Sequence, residues 1–421
     1  MNIYFSGIGG VGIGPLAEIA HDAGHTVTGS DASEGHVTRE LQARGITVTI
    51  GQDGTFLEQQ HAVRHFDWFV YTAALPEDHP ELVKARELGI RTGKRDEFLS
   101  EFIKAHNLTM IAIAGTHGKT STTGMAVWAL KQLGVPVSYS VGSTLTFGPS
   151  GAYDPSSTYF VYECDEFDRN FLHFNPAFSL ITSLDYDHPD TYPTQAEYTA
   201  AFRQYISQSG QTFMWDTDAA YIQASGLAGV EILPASAVLS KESLPLPGEH
   251  ARRNGTLVYT LLQELGLCTA KEAIAHLSQF PGTDRRFELI APRLYSDYGH
   301  HPKEIAATLQ LAKELSSHVT LIYQPHQNVR QHEIKDLYTD DVFKDADEIY
   351  WAPTYLTREN PDLPVLTPEE LTQNIHRDGS LHFIQLDDTL KEHVKELQKT
   401  DTLILCMGAG TIDAWVRHIN S

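Results

Sequence analysis

At 421 residues, with 41% hydrophobic and 20% charged side chains, the chain is too long for one ordinary core and reads as two to four globular domains. Its 31 basic against 54 acidic residues leave a formal charge of −23, which argues against nucleic acid or an anionic membrane as the main partner. The same charge opposes an anionic nucleotide at long range, so a phosphate site must be built locally from backbone N–H groups, Lys, Arg and metal.

Asn2 to Ile8 reads as a buried strand, followed by Gly7-x-Gly9-Gly10-x-Gly12 and a helix from about Pro15 to Ala23. A second strand, Thr26 to Gly29, ends at Ser30-Asp31, with Asp31 placed 19 positions after Gly12. This β-turn-α-β unit with a following acid is close to the Rossmann fingerprint, which holds a diphosphate at a helix N-terminus. Asp67–Thr72 gives another strand leading into the loop Thr72-Ala73-Ala74, and helices are expected at Pro80–Leu88 and Asp96–His106.

After a hinge at 106–109, the apolar strand Met110–Ala114 runs into Gly115-Thr116-His117-Gly118-Lys119-Thr120 and a helix over Lys119–Leu133. A strand, then glycines, then Lys and Thr opening a helix presents backbone N–H groups to a polyphosphate. Lysine adds a point charge and the threonine hydroxyl a Mg²⁺ ligand. The common P-loop pattern would place a glycine where Ile113 stands. The bland alternative is a glycine turn joining strand to helix.

Further strands are expected at Thr158–Glu163, Phe178–Ser183 and Thr212–Trp215, with helices at Gln195–Ser207 and Ala251–Leu265. Acids cluster just past the first of these strands, from Glu163 to Asp168. A carboxylate at such a strand tip can complete a Mg²⁺ shell, and Glu163, nearest the strand, is the best candidate; the bland alternative is a solvated acidic loop. Asp187-His188-Pro189-Asp190 follows the second strand and reads as a site for a second divalent ion, as a group that orients a substrate, or as a capping turn. Three strand ends thus converge on one crevice.

A break at Phe280-Pro281-Gly282 precedes a third alternating segment. Its strands are expected at Leu294–Tyr298, Val319–Tyr323, Glu348–Trp351 and Thr402–Cys406, and its helices at Pro302–Leu315 and Leu390–Gln398, with a last helix after Gly408-Ala409-Gly410. The fold class is therefore α/β, in three domains spanning 1–107, 108–281 and 282–421. The first and third are Rossmann-like, and the central one is a P-loop-type parallel-sheet ATPase domain. Cys164, Cys268 and Cys406 are scattered and read as reduced thiols. No apolar run approaches the roughly 18 residues of a membrane span, so a soluble, cytoplasmic protein is expected.

Ala114–Thr120, the Glu-x-Asp-Glu string Glu163–Glu166 and the Asp-His-x-Asp-x-Tyr string Asp187–Tyr192 together resemble the Mur ligases, ATP-dependent amino-acid-adding enzymes of peptidoglycan precursor synthesis. Gly9–Gly12, Gly29–Asp31, Gly248–His250, Arg285–Glu288, Asp297–Pro302, Gln324–His326 and Met407–Gly410 extend the resemblance over nearly the whole chain. It implies that Gly9, Gly10, Val11, Gly12, Asp31, Thr72 and Ala73 contact a UDP-sugar rather than NAD. It also implies that Gly115, Thr116, His117, Gly118, Lys119, Thr120 and Ser121 cradle ATP. Thr120 and Glu163 would hold one Mg²⁺ and His188 a second, making Lys119, Glu163 and His188 the catalytic set.

By the same resemblance Asn254 contacts adenine, Arg286 a phosphate and Asp297 the ribose, with His301 and Arg330 near the incoming amino acid and the reacting phosphate. The string from Tyr298 to Pro302 is most similar to the alanine-adding branch, which joins L-alanine to the lactyl carboxylate of UDP-N-acetylmuramate through an acyl phosphate. His301 is one candidate to take the amine's proton, and a capping or solvated histidine is the other reading.

Four departures are visible. His250-Ala251 stands where the family has His-Asn, Gln327 where it has Arg, the helix from Gln195 to Ser207 holds no lysine, and the chain is short for this branch. The missing lysine agrees with the alanine-adding branch. A tripeptide-adding recycling ligase and a non-catalytic homologue are the alternatives, and an NAD-dependent oxidoreductase would leave the second glycine loop unexplained. A monomer or weak homodimer is expected.

Overall fold

The computed structural model describes residues 1–72, 75–188, 191–357, 359–377 and 379–419. The first sheet contains β1 (Asn2–Ser6), β2 (Thr26–Asp31), β3 (Thr47–Ile50), β4 (Trp68–Tyr71) and β5 (Arg91–Lys94), all parallel in the order β3-β2-β1-β4-β5. The second contains β6 (Thr109–Ala114), β7 (Val137–Ser140), β8 (Gly151–Ala152), β9 (Tyr159–Glu163), β10 (Phe178–Ile181), β11 (Gln211–Trp215) and β12 (Val230–Leu233). Its order is β12-β11-β10-β6-β9-β7-β8, and only the short β8 runs antiparallel among the described residues. The third contains β13 (Glu288–Ala291), β14 (Leu294–Asp297), β15 (Val319–Tyr323), β16 (Glu348–Trp351), β17 (Leu381–Phe383) and β18 (Leu403–Met407), ordered β13-β14-β18-β15-β16-β17 with β13 antiparallel.

The central strands are continuous apolar runs because helices cover both faces of a parallel sheet. Met110–Ala114, Val319–Tyr323 and Leu403–Met407 are buried along their whole length. Most strands absent from the sequence reading are short and lie at the edges; the exception is Val137–Ser140, a buried inner strand beside β9 whose alternating serines hide it. Thr47–Ile50 is half exposed, and Arg91–Lys94 is polar, its Arg91 guanidinium lying 3.7 Å from the Trp68 ring centroid. Expected and observed helices agree within two or three residues at most ends; Pro302–Leu315 matches at both.

The chain forms two compact units, Met1–Val238 with Asn254–Pro281, and Leu239–Arg253 with Gly282–Ser421. The first unit holds the first two sheets on one continuous apolar core that includes Ile3, Phe98, Ala112, Tyr198 and Met214. The stretch Leu239–Arg253, inside the expected 108–281 span, packs with the second unit, where Arg252 makes paired bonds to Glu314 at 3.0 and 2.9 Å. The helix Glu249–Glu264 therefore begins in the second unit and continues in the first. In the second unit, Ile305, Leu321 and Trp351 cover one face of the third sheet and Leu294, Ile404 and Val416 the other.

Strand order positions the functional loops. The neighbours β10, β6 and β9 end at the Asp-His loop, the lysine loop and the acidic loop, all at the carboxyl edge of the second sheet. The neighbours β2, β1 and β4 end at Asp31, the glycine-rich loop and Thr72. In the third sheet β14, β18 and β15 end at Asp297, Gly408 and Gln324. Each is the crevice side of an open parallel sheet.

Candidate active site

The lysine loop turns on two glycines with positive φ, Gly115 at 124° and Gly118 at 86°. A side chain at either would strain the backbone and collide with a neighbour. A Cβ on Gly115 would come 2.6 Å from the Ser183 carbonyl oxygen, and one on Gly118 would come 2.9 Å from Asn254 Nδ2. Asn254, buried in its helix, thus lies against the loop in the same unit. The loop is pinned to the segment after β10: the Thr182 hydroxyl donates to the His117 carbonyl at 2.5 Å, and the His117 N–H donates to Ser183 Oγ at 3.0 Å. Thr116 Oγ1 donates to the Asp185 carbonyl at 2.9 Å and lies 2.6 Å from the Tyr198 hydroxyl. Ser121 is half-buried in the first turn of the following helix.

Lys119 is held by three acceptors, Glu166 Oε2 at 2.6 Å, the Gly115 carbonyl at 2.5 Å and the Thr116 carbonyl at 3.4 Å. Burial works against the ammonium's charge, but Glu166 with Asp165 and Glu163 holds it above its ordinary value, while burial pushes the Glu166 carboxyl up against the pull of Lys119 and His188. Glu166 is fully buried, and its other oxygen has no hydrogen-bond partner among the described residues. That oxygen lies 3.9 Å from His188 Nε2. His188 adopts φ 58°, a left-handed conformation that costs a non-glycine residue of order 1 kcal/mol and marks functional loops. Asp168, the last acid of that loop, and Arg169 are left-handed as well. Pro189 and Asp190 of the Asp-His motif lie outside the described residues.

Thr120 Oγ1 donates to Glu163 Oε1 at 2.9 Å, and Glu163 Oε2 accepts the Gly142 N–H at 2.7 Å. A hydroxyl and a carboxylate this close are hard oxygen donors suited to Mg²⁺. Among the described residues no group of three or more His, Cys, Asp or Glu side chains is gathered as a metal site. The unmatched oxygen of Glu166 beside His188 is a second place where cationic charge would be welcome. Cys164, between these acids, is buried and burial pushes its thiol up, so it stays protonated.

In the first sheet, the Gly9 N–H donates to Asp31 Oδ2 at 2.8 Å, so Asp31 braces the glycine-rich loop itself. A Cβ on Gly9 would come 2.9 Å from that oxygen. Gly10 N–H donates to the Gly7 carbonyl at 3.0 Å, and Val11 at the tip is exposed. Gly12 has an ordinary φ, and what its missing side chain admits is Arg95: a Cβ there would come within 3.1 Å of the guanidinium carbon. Thr72 follows β4, and Ala73 lies outside the described residues. Sequence reasoning passed over Arg95 and also Glu81, a buried carboxylate that accepts the hydroxyls of Tyr4 at 2.6 Å, Ser6 at 2.6 Å and Ser30 at 2.7 Å. Glu81 ties the ends of β1 and β2 beneath the glycine-rich loop. Nothing local in the helix Pro80–Glu87 signals this, because its partners are distant in sequence.

In the second unit, Asp297 accepts the Phe287 N–H at 2.8 Å and the Gly299 N–H at 2.7 Å. Burial pushes its carboxyl up to about 6 against the pull of the nearby Arg286 guanidinium. Arg285 and Arg286 lie 4.6 and 5.4 Å from the Tyr298 ring centroid, so Arg286, Asp297 and the Tyr298 strand end are gathered together. His301 caps the helix Pro302–Leu315, its Nδ1 accepting the Lys303 N–H at 3.3 Å. The charge of Arg330 is felt by His300, Tyr323 and Tyr338. Gln327 is left-handed at φ 60°, and Glu359 accepts the next two amides, Asn328 at 3.0 Å and Val329 at 3.3 Å.

Comparison with known proteins agrees with these three sheets. Residues 2–107 match the model of the Mur ligase family catalytic domain, 113–233 the Mur ligase middle domain, and 285–410 the Mur ligase glutamate ligase domain. The UDP-N-acetylmuramate–L-alanine ligase of Chlorobium phaeobacteroides is 30% identical, with 98% of this chain and 95% of the relative covered. The enzyme of the same name from Dinoroseobacter shibae is 29% identical over 99% of this chain and 96% of the relative. Among solved structures, the UDP-N-acetylmuramate–alanine ligase MurC of Thermotoga maritima superposes with a TM-score of 0.79 at 25% identity, covering 100% of this chain and 98% of that one. The murein peptide ligase of Psychrobacter arcticus shares the fold with a TM-score of 0.67 at 23% identity, covering 100% and 98%. No helix among the described residues is long and apolar enough to cross a membrane. The chain belongs to the Mur ligase family of ATP-dependent acid–amino-acid ligases.

Proposed function

We propose that the protein joins L-alanine to the lactyl carboxylate of UDP-N-acetylmuramate, using ATP and Mg²⁺, with residues 1–107 taking the UDP-sugar and 108–281 the ATP. Residues 282–421 carry Arg286, Asp297, His301 and Arg330, whose roles toward phosphate, ribose and amino acid are assigned by resemblance. The observation that carries the choice of amine is the full-length similarity to alanine-adding enzymes at 29–30% identity.

A carboxylate is a poor acyl donor because its leaving group would be oxide. Transfer of a phosphoryl group to it makes an acyl phosphate, which an amine attacks through a tetrahedral intermediate. Lys119 follows the phosphates and neutralises charge as it moves between them. Glu166 keeps that lysine charged and poised before nucleotide arrives. Thr120 and Glu163 would hold one divalent ion and His188 another; when bound, such ions supply Lewis-acid stabilisation of the transferring group. Gly115 and Gly118 let backbone N–H groups approach the phosphates.

The test is phosphate release with ATP, Mg²⁺ and UDP-N-acetylmuramate, adding L-alanine, glycine, L-serine or the murein tripeptide in turn. Stimulation by L-alanine above the others is expected, and stimulation by the tripeptide alone would overturn the reading. A tripeptide acceptor is the second reading. What supports it is the fold shared with the murein peptide ligase.

A further inference from the structure

Arg95 opens the helix Arg95–Ala105 directly after β5, and its side chain reaches two loops at once. On one side the guanidinium lies against Gly12 of the glycine-rich loop, close enough that a Cβ there would collide with it. On the other, its Nη2 meets Asp165 Oδ2 at 3.4 Å, in the acidic loop between Glu163 and Glu166. Among the described residues that long contact is the guanidinium's one hydrogen bond, and 15% of the side chain remains accessible. Arginine carries five donors in a planar fork that matches phosphate oxygens. A mostly buried guanidinium spending one donor on a long contact is under-used.

The charge balance makes the placement informative. The chain carries a net −23, and the glycine-rich loop has the Asp31 carboxylate built into its base. A diphosphate arriving there needs a local cation, and Lys94, the neighbouring base, is turned 3.5 Å from Asp168.

We propose that Arg95 is a binding residue for the diphosphate of the UDP-sugar, shared with Asp165, so that filling the UDP-sugar site draws a cation from the acidic loop that flanks Lys119. This rests on the reading of the glycine-rich loop as a UDP-sugar site. The guanidinium fork turns from Asp165 toward phosphate oxygens, with no bond made or broken beyond hydrogen bonds. Asp165, left without its arginine, is then one residue from Glu166 and two from Glu163, and it adds negative charge where divalent ions are expected. Sugar occupancy thereby strengthens the pull on those ions.

The experiment is calorimetric binding of uridine, UMP and UDP to the full chain without ATP, repeated with Arg95→Ala, Arg95→Lys and Asp165→Asn, with ADP binding and thermal melting as controls. Wild type should bind UDP far better than uridine. Arg95→Ala should lose about 10- to 100-fold in UDP affinity and little for uridine, with ADP binding kept. Arg95→Lys, which keeps charge without the fork, should fall between. Asp165→Asn, which removes the competing carboxylate, should tighten UDP severalfold. Unchanged UDP affinity in Arg95→Ala, or weaker UDP binding in Asp165→Asn, would overturn the assignment. Joint loss of UDP and ADP binding would give Arg95 a structural role only and overturn it too. If wild type bound uridine and UDP equally, the diphosphate reading of the loop would itself be wrong, an outcome distinct from the others.

Discussion

Replacing Glu166 by glutamine removes the buried counter-charge of Lys119 while keeping its size and an acceptor oxygen. The pair is 2.6 Å apart, Glu166 is fully buried, and only 14% of the Lys119 side chain is accessible. Breaking such a pair from one side costs roughly 3–5 kcal/mol. The amide oxygen and the carbonyls of Gly115 at 2.5 Å and Thr116 at 3.4 Å remain as acceptors, so the lower figure of about 3 kcal/mol applies to the ligand-free protein. Phosphates of a bound nucleotide bring replacement negative charge, so the bound state loses much less. The difference appears as affinity: Glu166→Gln should bind ADP at least tenfold more tightly, up to about 100-fold, because Glu166 no longer competes for the lysine. The assay is calorimetric ADP binding in a chelator, which removes any contribution of divalent ions, beside thermal unfolding with and without ADP. The ligand-free melting temperature should fall and ADP should recover most of the loss. Equal or weaker ADP binding with an unchanged ligand-free melting temperature would refute the reasoning.

Gly118→Ala combines a left-handed backbone with a Cβ 2.9 Å from Asn254 Nδ2, so it should cost about 1–2 kcal/mol at the loop and weaken ATP about tenfold while sparing UDP; equilibrium binding of both nucleotides checks this. Thr120→Val removes the hydroxyl that meets Glu163 at 2.9 Å, and should raise the Mg²⁺ concentration needed for half-maximal turnover with little change in metal-free ADP affinity, read by Mg²⁺ titration and calorimetry. Asp297 is a carboxyl whose folded value, about 6, lies above its ordinary 3.8. Its contribution to stability is therefore full below about 3.8 and is lost as pH rises through about 6, a change of about 3 kcal/mol. Asp297→Asn should flatten that part of the curve, checked by denaturant unfolding of the second unit's transition from pH 4 to 6.5.

The parts of this molecule that could be read from sequence are those where chemistry and chain punctuation coincide. Met110–Ala114 is a buried strand because every side chain is apolar, Gly115 and Gly118 mark the turn, and Lys119 and Thr120 follow within one helical turn. Glu163 and His188 were visible as polar groups at the ends of apolar strands, and strand order brings both beside the lysine loop. What stayed hidden depends on contacts far apart in the chain. Arg95 opens an ordinary-looking helix, and its meaning comes from Gly12 and Asp165, neither near it in sequence. Glu81 looks like a surface acid in the helix Pro80–Glu87 until three hydroxyls from the first and second strands close on it. Glu166 sat in view inside the acidic loop, yet its pairing with Lys119 joins residues 47 apart in the chain. Arg91–Lys94 was missed as a strand because one face rests on Trp68 through a cation–π contact rather than through aliphatic packing.

The central claim, that ATP activates the carboxylate of UDP-N-acetylmuramate for attack by L-alanine, is tested most directly by isotope transfer. The lactyl carboxylate is labelled with heavy oxygen, and the inorganic phosphate released in the presence of L-alanine is examined by mass spectrometry. One labelled oxygen per phosphate, in step with amide product, is the predicted result. Release of unlabelled phosphate alongside amide formation, or label transfer that requires a tripeptide in place of L-alanine, would contradict it.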